Sequence, residues 1–290
     1  MGKIWEKYLV KQDEKVKIKD WDTSYDGELT KDEVYNDLLP ANKEEMSIEQ
    51  DKLFADNSYA LLIVVQAMDA AGKDGLIRRV FNLIDPQGLD IQPFKKPTSE
   101  ELDHDYLWRV NKALPERGKI GIFNRSHYED VLVSRIHDLL DHDPIPDDLV
   151  NKGIWKQRYE QINNWEKYLT QNGIVVLKFF LNVSFEEQTE RLLSRIDRPE
   201  KNWKFQTSDV EERFYWKEYM DVYGEMISKT SKDYAPWFII PADRKWYARY
   251  AVSEIVLERL KMLGLKYPEI SKEQKEAMEA KREVLLKQKP

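Results

Sequence analysis

Two short segments carry residue types that can do chemistry. Residues 66–75 read QAMDAAGKDG, and residues 124–130 read NRSHYED. The first has the outline of a phosphate-binding loop, G-x-x-x-x-G-K-[ST], with Ala67 in place of the first glycine and Asp74 in place of the hydroxyl residue. Such a loop works because a turn between strand and helix aims several backbone N–H groups inward, and the helix N-terminus adds partial positive charge. It needs little from its side chains beyond small size. Ala67, Ala70, Ala71, Gly72 and Gly75 supply that, and Lys73 places an ammonium directly after Gly72. The hydroxyl that touches Mg²⁺ in the standard loop is missing, while carboxylates stand at Asp69 and Asp74. A hard cation prefers oxygen ligands, so a carboxylate here can hold the metal or orient an acceptor phosphate. The competing reading is a plain strand–turn–helix junction in which Asp74 is a helix N-cap.

The second segment follows KIGIF (119–123), where Asn124 occupies the strand end that many ATPases give to Asp. A helix beginning near Ser126 would put Glu129 and Asp130 in its first turns, beside the loop of the neighbouring strand. Asp130 would then reach a shared metal, and Arg125 a phosphate through its fork of donors. Alternatively, both acids simply complement the helix dipole. His127 is expected to pack or cap. A pure anion sensor gains nothing from acids beside a phosphate, which speaks against a non-catalytic phosphate or nucleotide sensor.

These segments are positioned by an alternating pattern. Tyr59–Gln66 is a continuous apolar run of strand length, and similar runs occur at Gly88–Phe94, Lys119–Phe123, Ile174–Leu181 and Trp237–Ile240. Amphipathic helical stretches lie between them, at Asp74–Ile84, Thr98–Ala113, Trp155–Asn172, Ser184–Arg195 and Lys245–Leu263. Thr98-Ser-Glu-Glu101 supplies a capping box. The pattern predicts an α/β domain with a five-stranded, mainly parallel sheet, its ligand at the carboxyl ends of the strands. Residues 1–58 read as a polar N-terminal arm, 59–270 as the α/β domain and 271–290 as a charged helical tail.

With 290 residues, one large domain is the expectation. Zero cysteines excludes disulfide scaffolds and thiolate chemistry, and neither a signal core nor a membrane-length apolar run occurs, so a cytoplasmic protein with no membrane partner is expected. A net charge of −7 argues against a nucleic-acid binder, so any polyanion site must be local. Cations cluster at Arg78 and Arg79, at Lys95 and Lys96, and along Arg191, Arg195, Arg198, Lys201 and Lys204.

Taken in order, QAMDAAGKDG, PTSEELDHDYLWRV, IFNRSHYEDVLV, RPEKNWKF and YAPWFIIPADRKWY resemble the polyphosphate kinase 2 family, from about Leu61 to Leu263. SHYED and EKNWKF resemble its single-domain branch acting on AMP and ADP. The resemblance implies a P-loop three-layer α/β/α sandwich with a helical lid at about 185–225, transferring the terminal phosphoryl group of inorganic polyphosphate to AMP or ADP, reversibly, with Mg²⁺ (or Mn²⁺). It implies that Asp69 and Asp130 hold metal, that Lys73 sits on the reacting phosphates with Ala71, Gly72, Asp74 and Gly75 around them, and that Arg125, Glu129 and Arg135 face the nucleotide. Arg191, Arg195, Arg198, Lys201 and Lys204 would form the lid and polyphosphate path. It also suggests a homodimer or homotetramer. Aromatics of the lid (Trp203, Phe205, Phe214, Tyr215, Trp216) are expected mostly as lid core, with base stacking as the alternative. The rival enzyme is an ATP-dependent P-loop nucleoside monophosphate kinase, or a kinase of a small sulfate-containing nucleotide.

Overall fold

The computed structural model describes residues 2–139 and 145–288. The outermost residues of the expected arm and tail (1 and 289–290), and 140–144 of the expected domain, lie outside the described residues. All five expected strands form, at Ala60–Gln66 (β2), Leu89–Pro93 (β3), Ile120–Asn124 (β4), Ile174–Asn182 (β5) and Trp237–Pro241 (β6). The sheet has a sixth, because Leu9–Val10 of the arm (β1) adds antiparallel to β6. The order is β1-β6-β5-β2-β4-β3, parallel throughout except at β1.

This order puts β2 in the centre, with β5 and β4 on its flanks, and every residue of β2 is buried. A strand without a solvent face can be apolar on both sides, which is why ALLIVVQ shows no alternation. β3 breaks that rule. It is the edge strand, mostly exposed, and it ends on Pro93, whose missing N–H an edge tolerates.

Helices cover both faces: Leu39–Asp56 (α1), Lys73–Val80 (α2), Glu129–Ile136 (α3), Ile154–Gln171 (α4), Phe185–Asp197 (α5), Trp216–Thr230 (α6) and Lys245–Met262 (α7). The expected helix at 98–113 is instead two short ones, Ser99–Leu102 and Trp108–Lys112, although the Thr98 capping box forms. The Asp105 carboxylate accepts from Leu107 N at 2.9 Å, a local turn that competes with continuing the helix. The arm is built into the core. Trp5 packs edge-on to Phe238 at 4.8 Å, Tyr8 bonds Tyr247 at 2.8 Å, and Val34, Met46 and Leu53 are fully buried. By contrast, the helix Lys272–Lys287 (α8) buries none of its residues. Among the described residues, no helix is long and apolar enough to cross a membrane.

Candidate active site

The loop after β2 is a cradle of amides. Ala70 and Gly72 adopt positive φ, 60° and 111°, while their neighbours in the loop do not, and this alternation turns successive N–H groups to one side. The carbonyls turn the other way, and each has a donor. Lys73 Nζ binds Ala67 O at 2.8 Å and Met68 O at 3.3 Å, Gln188 Nε2 binds Asp69 O at 2.8 Å, and Arg191 takes Ala70 O and Ala71 O at 3.2 and 2.5 Å. Among the described residues, the amides of Asp69, Ala70, Gly72 and Lys73 donate to no backbone carbonyl. They border a cleft of about 990 Å³ whose floor is the N-terminus of α2.

Gly72, not Asp74, is the N-cap of α2. Asp74 lies one step inside the helix and accepts from Asn124 Nδ2 at 2.7 Å, which ties the loop to the end of β4. Register explains the closeness: Val65 of β2 lies opposite Asn124 of β4, and Arg125 N bonds Val65 O at 3.1 Å. Arg125 has φ +64°, a conformation costly for a non-glycine residue and frequent at functional sites. That turn brings its guanidinium to Asp69 Oδ1 at 2.5 Å, with Lys73 Nζ 3.9 Å from the same oxygen. Burial works to raise the Asp69 pKa, but Lys73 and Arg125 outweigh it and hold the carboxyl below its ordinary range. Burial pushes the Lys73 ammonium down, with Asp69 opposing. Glu129 is raised by burial, although Arg125 and Lys73 favour its charge.

Several expected roles are corrected by these positions. The helix after β4 begins at Glu129, not near Ser126, because Ser126 Oγ accepts from Tyr128 N at 3.2 Å and from Gln66 at 3.1 Å, holding the chain in a turn for three more residues. Consecutive helical residues diverge by about 100°. Glu129 therefore shares the electrostatic neighbourhood of Lys73, Arg125 and Asp69, while Asp130 turns to Arg109, 3.8 Å away, and lines a separate cleft of about 590 Å³ with Glu101, Tyr106, Ile154 and Arg158. Asp69 and Asp130, the expected metal pair, line different clefts. Arg135 does not face the cleft either; it binds Glu225 at 2.9 Å and Tyr159 at 3.3 Å. Arg191 has its whole guanidinium occupied by protein acceptors. Arg195 is paired with Asp209 at 2.6 Å, and Lys201 with Ser194 at 2.9 Å, whereas Arg198 and Lys204 line the cleft without an acid within 4.0 Å among the described residues. Trp203 and Phe214, expected as lid core, are 78% and 83% exposed. His127 packs, fully buried.

Two cleft cations and one residue behind the loop were not anticipated. Lys245 and Arg249, four apart at the start of α7, line the same cleft beyond Gly72 and Gly75. Burial and the neighbouring Arg191 push the Lys245 pKa down to about 8. The signal was present: RKWYAR follows the β6 end, and ligands gather at such ends. Gln188, fully buried on α5, carried no signal, since a glutamine inside a helical pattern reads as surface.

As for a metal, the described residues hold no group of three or more His, Cys, Asp or Glu in ligating positions. Mg²⁺ does not need one, since it binds through one or two carboxylates, substrate phosphates and water. Asp69, held as a carboxylate, fits that role, with Glu129 beside it.

A family model described as Polyphosphate kinase 2 matches residues 29–268. An ADP-polyphosphate phosphotransferase of Rhodopseudomonas palustris is 45% identical over 282 residues, 97% of this chain and 98% of that one. An AMP/ADP-polyphosphate phosphotransferase of Meiothermus ruber is 45% identical over 220 residues, 76% and 79% of the two chains. The crystal structure of Polyphosphate Kinase 2 from Arthrobacter aurescens superposes with a TM-score of 0.80 at 39% identity, covering 89% of this chain and 88% of that chain. The chain belongs to the polyphosphate kinase 2 family.

Proposed function

We propose that the chain transfers the terminal phosphoryl group of inorganic polyphosphate to AMP or ADP by direct in-line displacement in the cleft over the β2–α2 loop. An oxygen of the acceptor's terminal phosphate attacks the terminal phosphorus, and the anhydride bond to the next phosphate breaks. The polyphosphate leaves one unit shorter. The observation that carries this reading is the inverted loop, its carbonyls bound from behind and its amides facing the cleft beside Lys73. Phosphoryl transfer has a loose transition state, so positioning and positive charge are what the protein must supply. Lys73 and the loop amides would hold the migrating group, and Arg125 would leave Asp69 to meet the acceptor phosphate. Mg²⁺, or Mn²⁺, would be held by Asp69 with Glu129 nearby; when bound it neutralises charge on the phosphates. Among the described residues no histidine lines this cleft, which supports direct transfer over a phosphohistidine route.

The 590 Å³ cleft is where we place the acceptor nucleoside. It has apolar walls at Leu102, Leu149 and Ile154, a ring at Tyr106 and polar groups at Asp130 and Arg109. The chain of phosphates would run past Arg198 and Lys204 of a lid at about 185–225 and past Lys245 and Arg249. We place the protein in the cytoplasm as a homodimer or homotetramer, with α8, whose Met278, Leu285 and Leu286 are exposed, available for contacts between subunits.

Relatives equally identical to this chain are named for ADP and for AMP/ADP, so the acceptor has to be measured. Purified protein with Mg²⁺, long-chain polyphosphate and either AMP or ADP is followed by chromatography of the nucleotides. ATP accumulating from AMP through ADP is the expected result. ATP from ADP alone would restrict the acceptor, and no product from either would refute the proposal.

A further inference from the structure

Arg191 has five N–H groups, and all five are used inside the protein. Nε binds Glu187 Oε1 at 2.6 Å, Nη1 binds Ala70 O and Ala71 O at 3.2 and 2.5 Å, and Nη2 binds Ala242 O and Asp243 O at 2.6 and 3.0 Å. No donor is left for a phosphate, although the side chain borders the cleft. One turn earlier on α5, Gln188 gives its amide N–H to Asp69 O and accepts from Arg213. Three consecutive loop carbonyls, 69 to 71, are therefore held from one helix. They flank Ala70, an alanine at φ 60°, a conformation that L-residues with a β-carbon disfavour. Something must hold it, because its relaxation would turn the amide of residue 70 out of the cradle and break the Ala71 N–H bond to Met68 O.

We propose that Arg191 and Gln188 are positioning residues that impose the amide-in geometry of the loop, and that through them α5 couples the lid to the phosphate cradle. α5 also carries Arg195 and leads into the segment bearing Arg198 and Lys204, so a rotation of α5 as that segment closes moves the loop carbonyls with it. The inference deepens the polyphosphate kinase reading and rests on it for its kinetic consequences, but not for its structural ones.

The test uses the full chain with Arg191→Lys and, as the milder change, Gln188→Glu. Lysine keeps the charge but offers one ammonium where five directed donors stood; glutamate keeps the size and the acceptor for Arg213 and removes the donor to Asp69 O. Because small misplacements of reacting groups cost on the order of 100-fold, kcat should fall by about that factor in Arg191→Lys and less in Gln188→Glu. The Michaelis constant for polyphosphate should stay unchanged for short and long chains alike. Amide hydrogen exchange at Ala71, whose N–H donates to Met68 O at 3.3 Å, should quicken in both variants, with β2 and β4 as protected as before. A normal kcat, or a loss confined to the Michaelis constant and growing with chain length, would overturn the positioning role in favour of direct contact. Should the wild-type protein fail to use polyphosphate, the exchange measurement still decides: unaltered exchange at Ala71 in both variants would overturn the clamp. If Arg191→Lys does not fold, Gln188→Glu carries both readouts.

Discussion

Replacing Lys178 by methionine removes one member of a charged pair sealed inside the protein. Lys178 on β5 and Glu166 on α4 are both fully buried and in direct contact; Lys178 also binds Tyr128 Oη at 3.0 Å and Thr230 O at 2.8 Å, and Tyr128 donates to the other Glu166 oxygen at 2.8 Å. Burial works to raise the Glu166 pKa, and Lys178 overcomes it, holding the carboxyl below its ordinary value. Without Lys178 the carboxylate stays buried with one hydroxyl, and His127 Nε2, 3.7 Å away, is the nearest group able to take up a proton. Removing one partner of a buried pair costs about 3–5 kcal/mol, and proton uptake by His127 places Lys178→Met toward the lower figure. With about 2.1 cal/mol/K of unfolding entropy per residue, a chain of 290 residues loses roughly 5–8 °C of melting temperature. Urea titration at 25 °C and a thermal melt read the effect. Lys178→Met with Glu166→Gln should recover most of it, since no charge is left behind. A single variant within about 1 kcal/mol of the parent would refute the argument that this pair is desolvated and interdependent.

Other consequences are as direct. Burial lowers the His127 pKa, so as pH falls below about 6.5 the unfolded chain takes up a proton that the folded one refuses; stability should decline from there at up to about 1.4 kcal/mol per pH unit, a slope that His127→Asn should flatten in urea titrations at pH 7.5 and 5.5. Lys73→Ala should cost about 3–5 kcal/mol of transition-state stabilisation, read as a loss of kcat; a loss confined to the nucleotide Michaelis constant would make Lys73 a uniform binder. Asp130→Asn should raise the nucleotide Michaelis constant about 10–100-fold, the worth of one charged hydrogen bond, without changing the Mg²⁺ requirement; a shifted Mg²⁺ dependence would return Asp130 to the metal.

The core elements were legible because their signals are local. Tyr59–Gln66 is apolar over a strand's length, and a loop with small residues and a lysine follows it; both are found as read. What escaped depends on side chains satisfying distant backbone. Leu9–Val10 is too short to read as a strand, and pairs only because Trp5 and Tyr8 anchor the arm. The start of α3 lies three residues later than expected because of the hydroxyl of Ser126, and Asp130 lines the cleft of Arg109, not that of Asp69. Arg191 looks in sequence like Arg195 and Arg198; only the carbonyls that surround it separate a brace from a phosphate contact.

The donor decides the central claim. AMP is offered with Mg²⁺ and either long-chain polyphosphate without ATP or ATP without polyphosphate, and initial rates of ADP formation are compared in the protein and in Lys73→Ala. The account predicts rapid ADP formation from polyphosphate, lost in the variant, and little from ATP alone. Rapid formation from ATP with none from polyphosphate would contradict it and identify an ATP-dependent nucleoside monophosphate kinase.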